Sequence, residues 1–255
     1  MEEYQSQSTL QLITSNDFVY AKSVPKWLVE NYQFFLVPTI FYPIVVHSVQ
    51  GKFRFDLKPA LFAWNLLLCI YSGVSFAYLT PHLMNRLINY GYHETVCLER
   101  VSESYIYMPY GRWIFIFILS KVFELGDTGF LLLRGKPVGL LHWYHHLITL
   151  ILAFTQGIMM IETFEWATWM NTLIHTFMYA HYAITTYVPN RRGNTIITSM
   201  QIAQMFHGVF FTIYHAVNCN SFIDLPGICV YGIYSVLFIG FFSNKYKKKL
   251  LLKQE

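Results

Sequence analysis

The chain has 255 residues, 55 % of them hydrophobic and only 13 % charged, with a formal net charge of +4. A soluble domain of this length carries about 25 % charged residues, so the depletion excludes an ordinary water-soluble globule and indicates an integral membrane protein. The apolar residues are also gathered into runs of bilayer length, and no separate soluble domain remains between them.

In chain order, the opening segment MEEYQSQSTLQLITSND is acidic and polar and lacks the basic stretch and apolar core of a cleavable signal peptide. Seven membrane-spanning helices are then expected near 33–50, 59–79, 112–133, 137–159, 163–188, 194–217 and 225–242, giving an all-α, single polytopic domain over 1–255. A basic tail, residues 243–255, follows the last span; its final LKQE lacks paired lysines. With the tail placed in the cytoplasm, that side collects 12 of the 18 Lys and Arg, the opposite side 5, and Lys121 lies within a span. Short cytoplasmic loops are enriched in such residues, so the C-terminus is expected inside and the N-terminus outside. Cys97 and Cys219 fall in two different outer loops and are either a disulfide or two free thiols. Cys69 and Cys229, within or at the edge of spans, read as small packing residues.

Ionisable groups inside a membrane are costly and usually face an interior cavity. The third span contains KVFELGDT, in which Lys121, Glu124 and Thr128 share a helical face beside Asp127. The fourth contains LHWYHHL, with His142, His145 and His146 at i, i+3 and i+4. The fifth reads NTLIHTFMYAHY, where Asn171, His175, Met178, Tyr179 and Tyr182 form one stripe, and the sixth carries Thr198, Gln201 and Gln204 at intervals of three. At about 1.5 Å of rise per residue, His145 lies about 12 Å from the cytoplasmic end of its span, Gln201 about 10 Å, Glu124 about 15 Å and His175 about 20 Å. The helices alternate in direction, so this agreement is independent of the spacing within any motif, and the stripes are expected to meet in one chamber in the cytoplasmic half of the membrane. His47, His82 and His93 read as interfacial, and His207 and His215 as packing or tunnel-lining.

Two chemistries fit three clustered histidines. A di-iron centre, as in a histidine-box membrane oxidase or desaturase, needs more imidazoles than one box plus His175 and His181, which are six apart and do not share a face; a single zinc held by three histidines is the other metal alternative. Neutral imidazole can instead take an acyl group from a thioester or move a proton, with Glu124 or Asp127 orienting it and Lys121, the glutamines or tyrosine hydroxyls stabilising an oxyanion.

The four motifs together resemble one family, the ELO family of very-long-chain fatty acid elongases. Its patterns K-x-x-E-x-x-D-T, H-x-x-H-H, N-x-x-x-H-x-x-M-Y-x-Y-Y and T-x-x-Q-x-x-Q match residues 121–128, 142–146, 171–182 and 198–204, with His181 replacing the first tyrosine of the final pair. The resemblance implies a 3-ketoacyl-CoA synthase of the endoplasmic reticulum, six of its seven helices surrounding a narrow acyl-chain tunnel. The implied reaction condenses a long-chain acyl-CoA with malonyl-CoA, releasing CO2 and CoA, without a cofactor or metal. HWYHHLIT is most similar to members acting on saturated and monounsaturated chains. The implied catalytic set is His145 as acyl carrier, His175 as second imidazole, His142 and His146 as orienting groups, and Lys121, Glu124, Asp127 and Asn171 beside them. The implied substrate contacts are Thr128, Met178, Tyr179, Tyr182, Thr198, Gln201 and Gln204, with Arg134, Lys136, Arg191 and Arg192 on the CoA phosphates. The implied partners are membrane lipid, the ketoacyl reductase, dehydratase and enoyl reductase of the elongation cycle and a second copy of the chain, and no nucleic acid.

Overall fold

In the computed structural model, residues 20–97, 110–161, 163–188, 191–219, 221 and 225–251 are described. The side chains of residues 20–21, 191–192 and 245–251 are not; the opening polar segment, most of the loop after Cys97, the basic tail's side chains and those of Arg191 and Arg192 therefore lie outside the described residues. Among these residues the chain is all-helical, with no strand.

The helices are α1 (Tyr20–Glu30), α2 (Gln33–Val49), α3 (Lys58–Val96), α4 (Gly111–Phe123), α5 (Gly126–Leu133), α6 (Leu140–Met159), α7 (Phe164–Thr185), α8 (Arg191–Asn218) and α9 (Leu225–Leu251). Three segments are individually long and apolar enough to cross a membrane: Lys58–Val96, Gly193–Asn218 and Leu225–Asn244. Helices α1 and α2, bent by 55° at their junction, qualify together as a fourth. The protein is thus a multi-pass membrane protein. Helices α6 and α7 carry the histidine and asparagine stripes.

One stripe of α2, namely Phe35, Tyr42 and Val46, is buried, while Val37, Ile40, Phe41, Ile44 and Val45 face outward at 44–55 % exposure. That one-sided burial suits a helix with lipid on its outer face. In α3, Leu68, Ser72, Ser75, Leu79, Leu83 and Arg86 recur at three and four residues and form its buried seam. Small residues on that seam let α3 run against α7, its most extensive partner; a Cβ on Gly73 would stand 3.5 Å from Thr176.

The expected span 112–133 is two helices, not one. At the junction Leu125, Asp127 and Thr128 donate their N–H groups to carbonyls three residues back rather than four. This tight winding has three residues per turn, so Glu124 and Asp127 eclipse on one side. The turn also seats the Trp64 ring, which occupies the space a Cβ on Gly126 would need, 2.6 Å away.

The main core lies where α1, α2 and α3 meet α4, α6 and α7, around Leu28, Phe35, Leu79, Phe115, Ile118, Leu150 and Phe164. At the far end of the bundle, Arg86 of α3 is paired with Glu165 of α7 and bonded to Tyr110, all three buried. Beyond them a disulfide joins Cys97 to Cys219, tying the end of α3 to the end of α8.

Candidate functional site

The polar stripes converge on one cavity of about 410 Å³, walled by α5 to α9. Twelve of the sequence-selected residues line it: Asp127, His142, His145, His146, Asn171, His175, Met178, Tyr179, Tyr182, Thr198, Gln201 and Gln204. Lys121, Glu124 and Thr128 stand immediately behind the wall and act on it through hydrogen bonds.

The network behind His175 starts at Lys121, which is 2 % exposed and lies 4.0 Å from the Phe117 ring centre. Its Nζ donates to Glu124 Oε1 at 2.7 Å and to Asn171 Oδ1 at 2.9 Å. Ser120 Oγ also donates to Glu124 Oε1, at 3.1 Å. An ammonium has only donors, so the Asn171 oxygen must face it, and the amide nitrogen must face His175 Nε2, 3.2 Å away. His175 Nε2 therefore accepts, and its proton sits on Nδ1, which points toward Glu124 Oε1 at 3.8 Å. Four side chains from two helices thus set one tautomer.

A second network holds the other histidines. Thr128 Oγ1 is bonded to Tyr42 OH at 2.7 Å and to His142 Nε2 at 2.9 Å, linking α2, α5 and α6. Asp127 accepts from Trp64 Nε1 at 2.6 Å and from Tyr179 OH at 2.8 Å, and lies 4.0 Å from His146 Nε2. His145 is held differently. Its ring packs on Tyr234 at 4.8 Å and Phe238 at 6.2 Å, and its Nδ1 is buried with no hydrogen-bond partner among the described residues. Tyr234 in turn donates to the His145 carbonyl at 3.1 Å. His142, His146 and His175 each face a polar side chain, whereas His145 is positioned by packing.

Sequence reasoning missed Tyr42, Trp64, Ser120 and Tyr234. Tyr42, Trp64 and Tyr234 have no spacing partner in a motif to mark them, whereas Ser120 stands one turn before Glu124, a spacing that could have found it. His181 accounts for its own departure from the family pattern, because its Nε2 is bonded to Asn194 Oδ1 at 2.7 Å and so clips α7 to α8. Arg134 and Lys136 do not line the chamber; they line a separate cleft with Arg54. Among the described residues, no three His, Cys, Asp or Glu side chains stand together as a metal-ligand set. Behind the chamber the free space continues as two smaller voids of about 50 and 10 Å³, which share Gln204 with it and end between Trp166, Phe211 and Tyr231.

Residues 27–254 match the ELO family described as GNS1/SUR4. The chain belongs to that family. It is 34 % identical over 251 residues to the very long chain fatty acid elongase 6 of Drosophila melanogaster, covering 91 % of this chain and 77 % of that protein. The very long chain fatty acid elongase 6 of Gallus gallus is 30 % identical over 236 residues, 87 % of each chain. The elongase 3 of Mus musculus is 29 % identical over 251 residues, covering 93 % of this chain and 91 % of that protein. No solved structure matches the chain. Among the described residues, the four polar stretches singled out in the sequence are those that wall the chamber or brace it from behind.

Proposed function

We propose that the chamber is where this fatty acid elongase condenses a long-chain acyl-CoA with malonyl-CoA to give a 3-oxoacyl-CoA longer by two carbons. The observation that carries the reading is the contrast among the imidazoles: three are committed to polar partners, and His145 is not. An imidazole free of hydrogen-bond partners on one nitrogen keeps its basic lone pair available for attack.

In the proposed sequence the imidazole of His145, which lines the chamber, attacks the thioester carbonyl, the C–S bond breaks, and CoA leaves as the thiol with the proton that the imidazole gives up. Malonyl-CoA then enters and loses CO2, and the resulting enolate carbon attacks the acyl-imidazole. The C–N bond breaks and His145 recovers a proton. The condensation consumes one proton overall, and His175, which lines the same chamber, is the group that relays it from water to His145. The side-chain amide N–H groups of Gln201 and Gln204 stabilise the oxyanion formed at each addition. The alternative, a single-step condensation with the box histidine as base only, differs in forming no adduct.

The acyl chain is taken to run from the chamber through the two smaller voids toward Tyr231 and Phe211. From His145 to Gln156, which lines both voids, is about 16 Å of helix. Extended C–C bonds of about 1.5 Å advance about 1.25 Å per methylene, so that path holds about 13 methylenes. Seven spans, six of them around such a tunnel and α4 with α5 forming one broken span, complete the reading. So do an endoplasmic reticulum location with the C-terminus cytoplasmic, saturated or monounsaturated substrates, no cofactor, and association with the other elongation-cycle enzymes and with a second copy of the chain.

Incubation of the purified protein with labelled acyl-CoA and no malonyl-CoA tests the covalent step. A labelled adduct on His145, chased into product by malonyl-CoA and absent in His145→Ala, is expected. A preparation that turns over but never carries label would refute it.

A further inference from the structure

The second cleft is built by two loops at the chamber-mouth end of the bundle, one joining α2 to α3 and the other joining α5 to α6. It measures about 390 Å³ and is lined by Arg54, Phe55, Asp56, Arg134, Gly135 and Lys136. It shares no residue with the catalytic chamber.

The loops are stitched together rather than merely adjacent. Phe55 N donates to Leu133 O at 2.9 Å, and Val138 N donates to Gln50 Oε1 at 3.3 Å. Gly135 has a positive φ of +66°, and a Cβ there would stand 2.5 Å from Phe53 O and 3.0 Å from Arg54 Cγ. Only glycine permits that approach, which lays the Arg54 stem across the Gly135 backbone. Three cations from two loops thereby share one concavity.

Their charges are not answered from within. Asp56, the acidic residue in the lining, is engaged by its own loop, with Lys58 Nζ at 3.8 Å and Lys58 N at 3.3 Å. No carboxylate lies within ion-pair distance of Arg54, Arg134 or Lys136 among the described residues. Loop charges that serve only to orient a span in the membrane need no such construction. Arginine pairs above all with phosphate, whose oxygens match its forked donors.

The surroundings indicate the direction from which a phosphate arrives. Phe53 and Phe55 are stacked 5.8 Å apart and are 39 % and 54 % exposed. They follow, in the loop after α2, the exposed apolar residues Ile40, Phe41, Ile44 and Val45 of that helix. A phospholipid laid along that face would put its acyl chains on α2 and its phosphate among the three cations.

We propose that Arg54, Arg134 and Lys136 form a phosphate-ester site, separate from the catalytic chamber, that takes the headgroup of an anionic phospholipid. The site does not depend on the condensation chemistry, and its test does not read activity. The full chain is released from micelles doped with phosphatidic acid or with phosphatidylcholine of the same acyl chains, and retained lipid is counted by native mass spectrometry. Phosphatidic acid should be retained at least tenfold in preference, and Arg54→Gln combined with Arg134→Gln should abolish the preference while leaving the protein's melting temperature within a few degrees. Adenosine 3′,5′-bisphosphate, the soluble phosphate that resembles the head of CoA, should not displace the lipid. Equal retention of the two lipids, or an unchanged preference in the double variant, would overturn the site. Displacement by the bisphosphate would overturn the lipid as its occupant and assign the cleft to the nucleotide of the substrate.

Discussion

Replacing Glu124 by Gln separates what the buried ion pair does for folding from what it does for His175. Lys121 and Glu124 are 2 % and 4 % exposed, and among the described residues the carboxylate is the lysine's only charged partner within ion-pair distance. Removing one member of a buried pair leaves an uncompensated charge at a cost of about 3–5 kcal/mol, whereas replacing both by apolar groups of similar size is neutral or stabilising by about 1–4 kcal/mol. Glu124→Gln is therefore expected to lose most of the protein's margin of stability, and Lys121→Met with Glu124→Leu to recover it. Activity should not follow. Without Lys121 nothing dictates which end of the Asn171 amide faces His175, and without Glu124 nothing favours the Nδ1 tautomer. A positioned acid–base group contributes about 10²- to 10⁴-fold, so the double variant should fold normally yet condense at least about 100-fold more slowly. Thermal unfolding in detergent and incorporation of labelled malonyl-CoA measure the two effects. A double variant that recovers both stability and turnover would show the pair to be structural only.

Gly208 tests the acyl path, because a Cβ there would lie 2.6 Å from the Tyr231 ring, which lines both smaller voids. Gly208→Ala should push that ring into the path and shift products shorter by at least one two-carbon step, read by chromatography of the elongated chains; an unchanged product profile would place the chain elsewhere. The Cys97–Cys219 bond closes a loop of 122 residues, for which the chain-entropy account gives about 4–5 kcal/mol. Cys97→Ser should lower the melting temperature accordingly, and added reductant should lower that of the parent protein but not that of the variant.

The helical spacing of the motifs was sufficient to bring twelve residues into one chamber, since a stripe of polar groups on an otherwise apolar helix has nowhere else to go in a membrane. Spacing fails at the α4–α5 junction. An unbroken helix places Asp127 to one side of Glu124, and the tighter turn under Trp64 brings it round to face Tyr179 and His146. The seat for that turn is a glycine on one helix and a tryptophan on another, a long-range pairing without a local pattern. The same holds for Tyr234 beneath His145, whose neighbours in sequence are all apolar or small. Positive charge was legible only as to place: Arg134 and Lys136 stand at the chamber-mouth end, but they line a cleft of their own with Arg54, and the glycine that lets the two loops approach has no local signature.

The disulfide has a further meaning when the chain is followed in the order of its synthesis. The residues of the four motifs, from Lys121 to Gln204, lie between Cys97 and Cys219, while Tyr234 and Phe238 lie after the second cysteine. The ring can close as soon as Cys219 is available, at a moment when the cradle of His145 has not yet been made. Covalent closure and completion of the reaction chamber are therefore separate events in the life of each molecule. His145 precedes Cys219 in the chain, and the residues of α9 that support its ring follow it.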